Sequence, residues 1–88
     1  MDNFRLIYKI LTVHKKALWE EGAPLNELTH EKLGTTETHV RNVNLVLRNA
    51  GLIIGVNGQT VITLAGLEYL EGNPQMLKMT GERGPYSY

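Results

Sequence analysis

Apolar and polar residues alternate along the first 21 residues with the spacing of an α-helix. At about 100° per residue, six large side chains fall on one broad face: Phe4, Ile7, Tyr8, Ile10, Leu11 and Leu18. Asp2 or Asn3 can cap this helix, and Gly22 with Pro24 ends it near Glu21. So wide an apolar face predicts cover on more than one side, either from later helices of the same domain or from a second copy of the chain.

The stretch 36–56 has the pattern around which the rest of the chain is organised. Thr36 is a suitable N-cap, Glu37 places a negative charge in the first helical turn, and Gly51 ends the helix. Five residues of this helix are predicted to face inward: Val40, Val43, Val46, Leu47 and Ala50. Six are predicted to face outward: Thr38, Arg41, Asn42, Leu45, Arg48 and Asn49.

Two short segments lie between these helices. Pro24 disfavours helix in the residue before it, so Ala23–Asn26 is predicted to be extended and can supply a small third strand. Glu27–Leu33 is predicted to form a short second helix that ends at Gly34.

A β-hairpin follows the long helix. Leu52–Val56 and Thr60–Leu64 are rich in β-forming residues, and a type I′ turn with Asn57 and Gly58 at its centre closes the hairpin. The register places Ile53, Gly55, Ile62 and Leu64 on one face, and Leu52, Ile54, Val56 and Val61 on the other. One face must meet the helices. The other is an apolar patch that a partner, the C-terminal tail or the segment around Pro24 can cover.

The pattern continues as helix beyond the hairpin. Thr63 can cap a fourth helix over Leu64–Glu71, and Asn73-Pro74 can begin a further turn through Gln75–Met79. Residues 80–88 lack apolar periodicity. The predicted organisation is one domain over residues 1–79 and a flexible tail over 80–88.

This order of helix, short strand, two helices and hairpin is typical of a winged helix-turn-helix. In that fold the third helix is the recognition helix and the hairpin is the wing. The predicted fold class is therefore α+β, mainly α, with a short β-hairpin wing.

Three stretches suggest a narrower grouping: Phe4–Leu11, Gly51–Val56 and Ile62–Glu71. Together they resemble the YjcQ-like family, which comprises small winged-helix proteins of firmicute bacteria and their prophages, over about residues 4–79. The resemblance implies a winged-helix fold and a phage-linked context, and it implies no settled activity. The chain departs from the family in the tight two-residue turn of its wing and in Gly81–Tyr88, where the family tends to continue as helix.

Composition narrows the class of protein. The chain has 88 residues, enough for one core, and its nine basic and nine acidic residues cancel, so no overall field attracts nucleic acid or a membrane. It has no cysteine, which excludes disulfides and cysteine-ligated zinc. No apolar run approaches the roughly 20 residues that a membrane span needs. Asp2 and Asn3 stand where a signal peptide would be basic, so we expect a cytoplasmic protein.

The outward face of the third helix carries the candidate chemistry. Arg41 can bind a guanine with two hydrogen bonds, and Asn42 or Asn49 can do the same for an adenine. Thr38 lies near the helix start, where it can reach a base or a phosphate. Arg48 is predicted to contact phosphates, together with those of Lys15, Lys16 and Lys32 that lie on the same side. Double-stranded DNA is therefore one predicted partner.

A protein partner or a homodimer is the alternative. The helix carries two arginines against Glu37, and the wing tip has no charge, whereas DNA affinity comes mainly from neutralised phosphates. Leu45 lies at the centre of the outward face, where it can meet a thymine methyl group or anchor a partner protein. The candidate protein interface comprises Leu45, Ile54, Val56 and Val61.

No pattern indicates catalysis, a metal or a cofactor. His14 and His39 project toward apolar faces, where a hydrogen-bonded structural role is expected, and neither has the spacing of a zinc motif. The chain has no glycine-rich phosphate loop and no nucleophile elbow. We therefore expect neither an enzyme nor a small-molecule substrate.

Overall fold

Residues 1–20 and 24–82 are described by the computed structural model, and they form a mainly helical α+β arrangement with a two-stranded antiparallel hairpin. In chain order the elements are α1 (Asn3–Lys16), a 3-10 helix (Pro24–Leu28), α2 (His30–Leu33), α3 (Glu37–Asn49), β1 (Ile53–Val56), β2 (Gln59–Ile62), α4 (Leu64–Gly72) and α5 (Pro74–Glu82). This order is consistent with a winged helix, as the sequence predicts.

Helix starts agree with the predicted caps. The side chain of Asp2 accepts a hydrogen bond from the N–H of Arg5 at 2.8 Å. Thr36 accepts one from the N–H of His39 at 3.1 Å, and thus begins α3. Thr63 and Asn73 do the same for α4 and α5. Each cap satisfies an N–H group that has no partner within its own helix, and a threonine or asparagine cap contributes about 1 kcal/mol.

Helix α1 is shorter than predicted, because it ends at Lys16 and not near Glu21. The N–H groups of Leu18 and Trp19 bind the carbonyls three residues before them, at 3.1 and 3.2 Å, so the chain closes into a tighter turn. Leu18 and Trp19 are exposed there, and burial does not hold them in a further helical turn. The predicted place of Leu18 on the buried face is therefore wrong, and Phe4 is exposed as well.

The segment after Pro24 does not form the predicted strand. Pro24–Leu28 is a 3-10 helix, and the sheet among the described residues has only β1 and β2. The predicted helix Glu27–Leu33 is divided at Thr29, whose backbone is extended and whose side chain caps α2 through the N–H of Lys32. Thr29 therefore starts a new helix and does not continue the old one.

The hairpin has the predicted register and turn. Ile53 pairs with Ile62 and Val56 pairs with Gln59, which leaves Asn57 and Gly58 as the two turn residues. Both have positive φ angles, 51° and 78°, as a type I′ turn requires. The predicted alternation holds for Ile53 and Ile62, which are buried, but Leu64 belongs to α4 and is exposed.

The core forms around α1. It comprises Leu6, Ile10, Leu11, Leu33, Val43, Leu47, Ile53, Ile62, Leu70 and Met76. The helix α1 contacts the 3-10 helix, α3, β2, α4 and α5. Later elements of the same chain therefore cover its broad apolar face, as the first of the two explanations predicts.

Helix α5 extends past the predicted end of the domain at residue 79, because it continues through Thr80 to Glu82. The hydroxyl of Thr80 donates to the carbonyl of Met76 at 3.3 Å within this helix. The rest of the predicted tail, 83–88, lies outside the described residues.

Candidate functional site

The outward face of α3 is placed as the sequence predicts. All six residues assigned to it are exposed: Thr38, Arg41, Asn42, Leu45, Arg48 and Asn49. At about 100° per residue they span an arc of roughly 120°, with Arg48 at one edge and Asn42 at the other. The helix therefore presents one continuous strip of amides, arginines and a hydroxyl around a central leucine.

Two residues predicted to face inward are exposed. Val46 is 58% exposed and Ala50 is also on the surface, whereas Val43 and Leu47 are buried. The core meets only the narrow stripe through Val43 and Leu47, because α3 is covered by α1 and the base of the hairpin. Val46 projects to the side of that stripe, next to Asn42 at the edge of the outward arc, so the exposed surface of α3 is more apolar than predicted.

The side chain of Arg48 extends from α3 to the hairpin. Its Nη2 donates to the hydroxyl oxygen of Thr60 at 2.9 Å. A Cβ atom at Gly55, the strand partner of Thr60, would lie 3.4 Å from Nη1 of the same guanidinium. The sequence does not predict the approach of Arg48 to the hairpin, because it is a tertiary contact between two elements.

Arg41 differs from Arg48 in having no partner among the described residues. Within residues 1–20 and 24–82, its side chain makes no hydrogen bond and no ion pair. The rise of 1.5 Å per residue separates the two arginines by roughly 10 Å along the helix. Of the two arginines of α3, Arg41 can therefore bind a ligand without breaking a contact within the described residues.

The lysines add less positive charge than predicted. The Nζ of Lys15 lies 3.1 Å from a carboxylate oxygen of Glu71 in α4, so that charge is paired. Lys16 and Lys32 are exposed. The basic residues of α3 itself are Arg41 and Arg48.

Comparison with known proteins identifies the family. A family model described as YjcQ protein matches residues 8–82. The chain belongs to the YjcQ protein family. No curated protein and no solved structure matches the chain. The match confirms the resemblance that the sequence motifs indicated, and it extends through α5.

In this member of the YjcQ family, two histidines have structural contacts. The Nε2 of His39 donates to the side-chain oxygen of Asn3 at 2.8 Å, and its Nδ1 shares a hydrogen bond with the hydroxyl of Thr35 at 2.7 Å. These bonds join the start of α1 to the start of α3. The Nδ1 of His14 donates to the carbonyl of Ile10 at 2.8 Å. The partner Asn3 is 36 residues away from His39, so the sequence alone did not point to it.

The predicted protein interface is divided between two surfaces. Ile54 and Val56 are exposed and Val61 is half-buried. Successive strand residues point to opposite faces, so these side chains lie on the face away from Gly55 and Thr60, which Arg48 contacts. Leu45 lies on the exposed side of α3. The hairpin patch and Leu45 therefore do not form one continuous surface.

Two further observations concern metal binding and membrane spans. Among the described residues, no three His, Cys, Asp or Glu side chains are grouped so that they can hold a metal ion. In the same part of the chain, none of the helices has the length and apolar character needed to cross a membrane.

Proposed function

We propose that the exposed face of α3 binds double-stranded DNA, and that this YjcQ family member is a small non-catalytic regulatory protein of the phage or prophage type. The observation that carries the proposal is the exposed side chain of Arg41, which has no partner among the described residues and lies on the same arc as Thr38, Asn42 and Asn49. An arginine that keeps its fork of donors free can bind the O6 and N7 of guanine. The element order, helices followed by a hairpin, is the scaffold that presents such a face to the major groove.

In this proposal each residue has a distinct role. Arg41 reads a guanine, and Asn42 or Asn49 reads an adenine through paired donor and acceptor groups. Thr38, in the first turns of α3, contacts a base or a phosphate. Because two arginines per protomer neutralise few phosphates, the affinity is expected to be in the micromolar range and to fall as salt rises.

Arg41→Ala tests the proposal. We expect it to weaken binding to mixed-sequence duplexes about tenfold or more at low salt, as measured by mobility shift. Lys78→Ala is the matched control, because it removes one exposed positive charge from α5 and leaves α3 intact. The proposal is wrong if wild type gives no shift up to about 100 micromolar, the weak end of nonspecific affinity. It is also wrong if the two variants bind equally well.

A second candidate function is self-association through α3, which the exposure of Val46 favours. Leu45 is 52% exposed at the centre of the outward arc, where the arginines and the amides surround it, and Val46, 58% exposed, borders the same arc beyond Asn42. An apolar centre with a polar rim is the usual composition of a protein interface.

Leu45→Glu and Val46→Glu test this second function. If α3 is a homodimer interface, either substitution is expected to convert the dimer to monomer in sedimentation experiments. Leu77→Glu is the control, because Leu77 is an equally exposed leucine on α5, at 50%. A strictly monomeric wild type at about 100 micromolar would rule out a dimer of useful strength.

A further inference from the structure

We infer that Arg48 is a positioning residue that fixes the wing to α3. Its Nη2 donates to Oγ1 of Thr60 at 2.9 Å. Its Nη1 lies over Gly55, at ordinary van der Waals distance from the position a Cβ would occupy there. Gly55 and Thr60 are partners in the register and point to the same face of the hairpin. The guanidinium therefore lies across both strands of the wing, one residue pair before the closing pair Val56–Gln59.

Beyond the burial of Ile53 and Ile62 at its base, the hairpin has few other means of attachment to α3. Residues 49–67 contain no charged side chain, so no ion pair can join the wing to the helices. The N–H of Leu52 binds the carbonyl of Leu47 at 2.9 Å, but this contact lies at the base of the hairpin. Among the described residues, the bond from Arg48 to Thr60 is the side-chain hydrogen bond that joins α3 to the strands. The place of the turn Asn57-Gly58 relative to α3 therefore depends on Arg48.

The absence of a side chain at Gly55 fits this role. A methyl group there would just touch the guanidinium, whereas a larger side chain would occupy the space that Arg48 fills. Arg48 and Arg41 are both exposed arginines of α3, but they have different roles. In the part of the chain that the structure describes, Arg41 has no internal partner, whereas Arg48 is bonded to Thr60 of the wing. This inference goes beyond the proposed DNA binding and holds or fails without it.

A double-mutant cycle on Arg48 and Thr60 tests the inference in the protein without DNA. Arg48→Gln removes the guanidinium, and Thr60→Val removes the hydroxyl but keeps a β-branched residue of similar shape. We expect each single variant to raise the rate of amide hydrogen exchange in β1 and β2 about three- to tenfold, the scale of one lost hydrogen bond. Exchange in α1 should stay unchanged. The double variant should exchange no faster than either single variant.

Thr60→Ser is the matched control, since it keeps the hydroxyl and should restore wild-type exchange in the hairpin. Independent effects, in which the double variant shows the product of the two single effects, would overturn the inference. Equal acceleration in Thr60→Ser and Thr60→Val would overturn it too, because the hydroxyl would then be irrelevant. Because no DNA is present, a failure of the DNA-binding proposal leaves the result of this experiment unaffected.

Discussion

Gly66→Ala is expected to destabilise the protein by about 2 kcal/mol, within the usual range for overpacking a well-packed core. A Cβ at Gly66 would overlap the carbonyl oxygen of Leu52 and lie 2.6 Å from Cγ1 of Ile62. The carbonyl cannot move away easily, because it accepts a hydrogen bond from the N–H of Thr63 at 3.0 Å. Helix α4 must therefore shift from the base of the hairpin. Denaturant unfolding should show the loss of free energy, and thermal unfolding should show a fall in Tm of roughly 10 °C.

Gly72→Ala is the matched control for Gly66→Ala. Gly72 is also in α4, but a Cβ there has nothing within 4 Å and its φ is not positive. Alanine in a helix is intrinsically better than glycine by up to about 1 kcal/mol, so this variant should be as stable as wild type or more stable. Equal stability of the two variants would show that the close approach of Gly66 to Leu52 is wrong.

Met76→Ala is expected to lower the free energy of unfolding by about 2–5 kcal/mol. Met76 is 0% exposed and belongs to the core cluster with residues of α1, α3 and the hairpin. Its truncation leaves a cavity where α5 packs against α1. The measurement is equilibrium unfolding in urea, monitored by circular dichroism.

Leu77→Ala is the control for Met76→Ala, since Leu77 is the next residue on α5 and is half exposed. Its truncation should cost less than about 1 kcal/mol, because a side chain at the surface buries little area. If Met76→Ala cost no more than Leu77→Ala, α5 would not be an integral part of the core. The pair therefore tests whether the domain includes the whole of α5, beyond the boundary predicted from sequence.

Local patterns predicted α3 and the hairpin well, since strong local signals coincide there. Thr36 caps the helix, and Asn57-Gly58 determines the turn. Local patterns mispredicted the end of α1 and the conformation of Pro24–Leu28. The end of α1 and the conformation after Pro24 depend on which residues the rest of the fold buries, and the periodicity of a single segment does not contain that information.

The candidate site was predicted only in part, because some of its features depend on how the elements pack together. The outward face of α3 follows from helical geometry, so Thr38, Arg41 and Asn42 are exposed as predicted. Val46 was misplaced because the width of the covered stripe depends on what packs against the helix. The contact of Arg48 with Thr60 was not predicted because it joins different elements of the fold.

The sequence by itself determined the family, the order of the helices and the hairpin, and the polar face of α3. These follow from caps, a turn dipeptide and a repeat of 3.6 residues, which act over a few neighbours in the chain. Only the tertiary structure decided that Arg48 is held by the wing, that His39 joins α3 to α1, and that Gly66 must lack a side chain. Each of these depends on a contact between residues that are distant in sequence, and such a contact exists only after the core has brought the elements together.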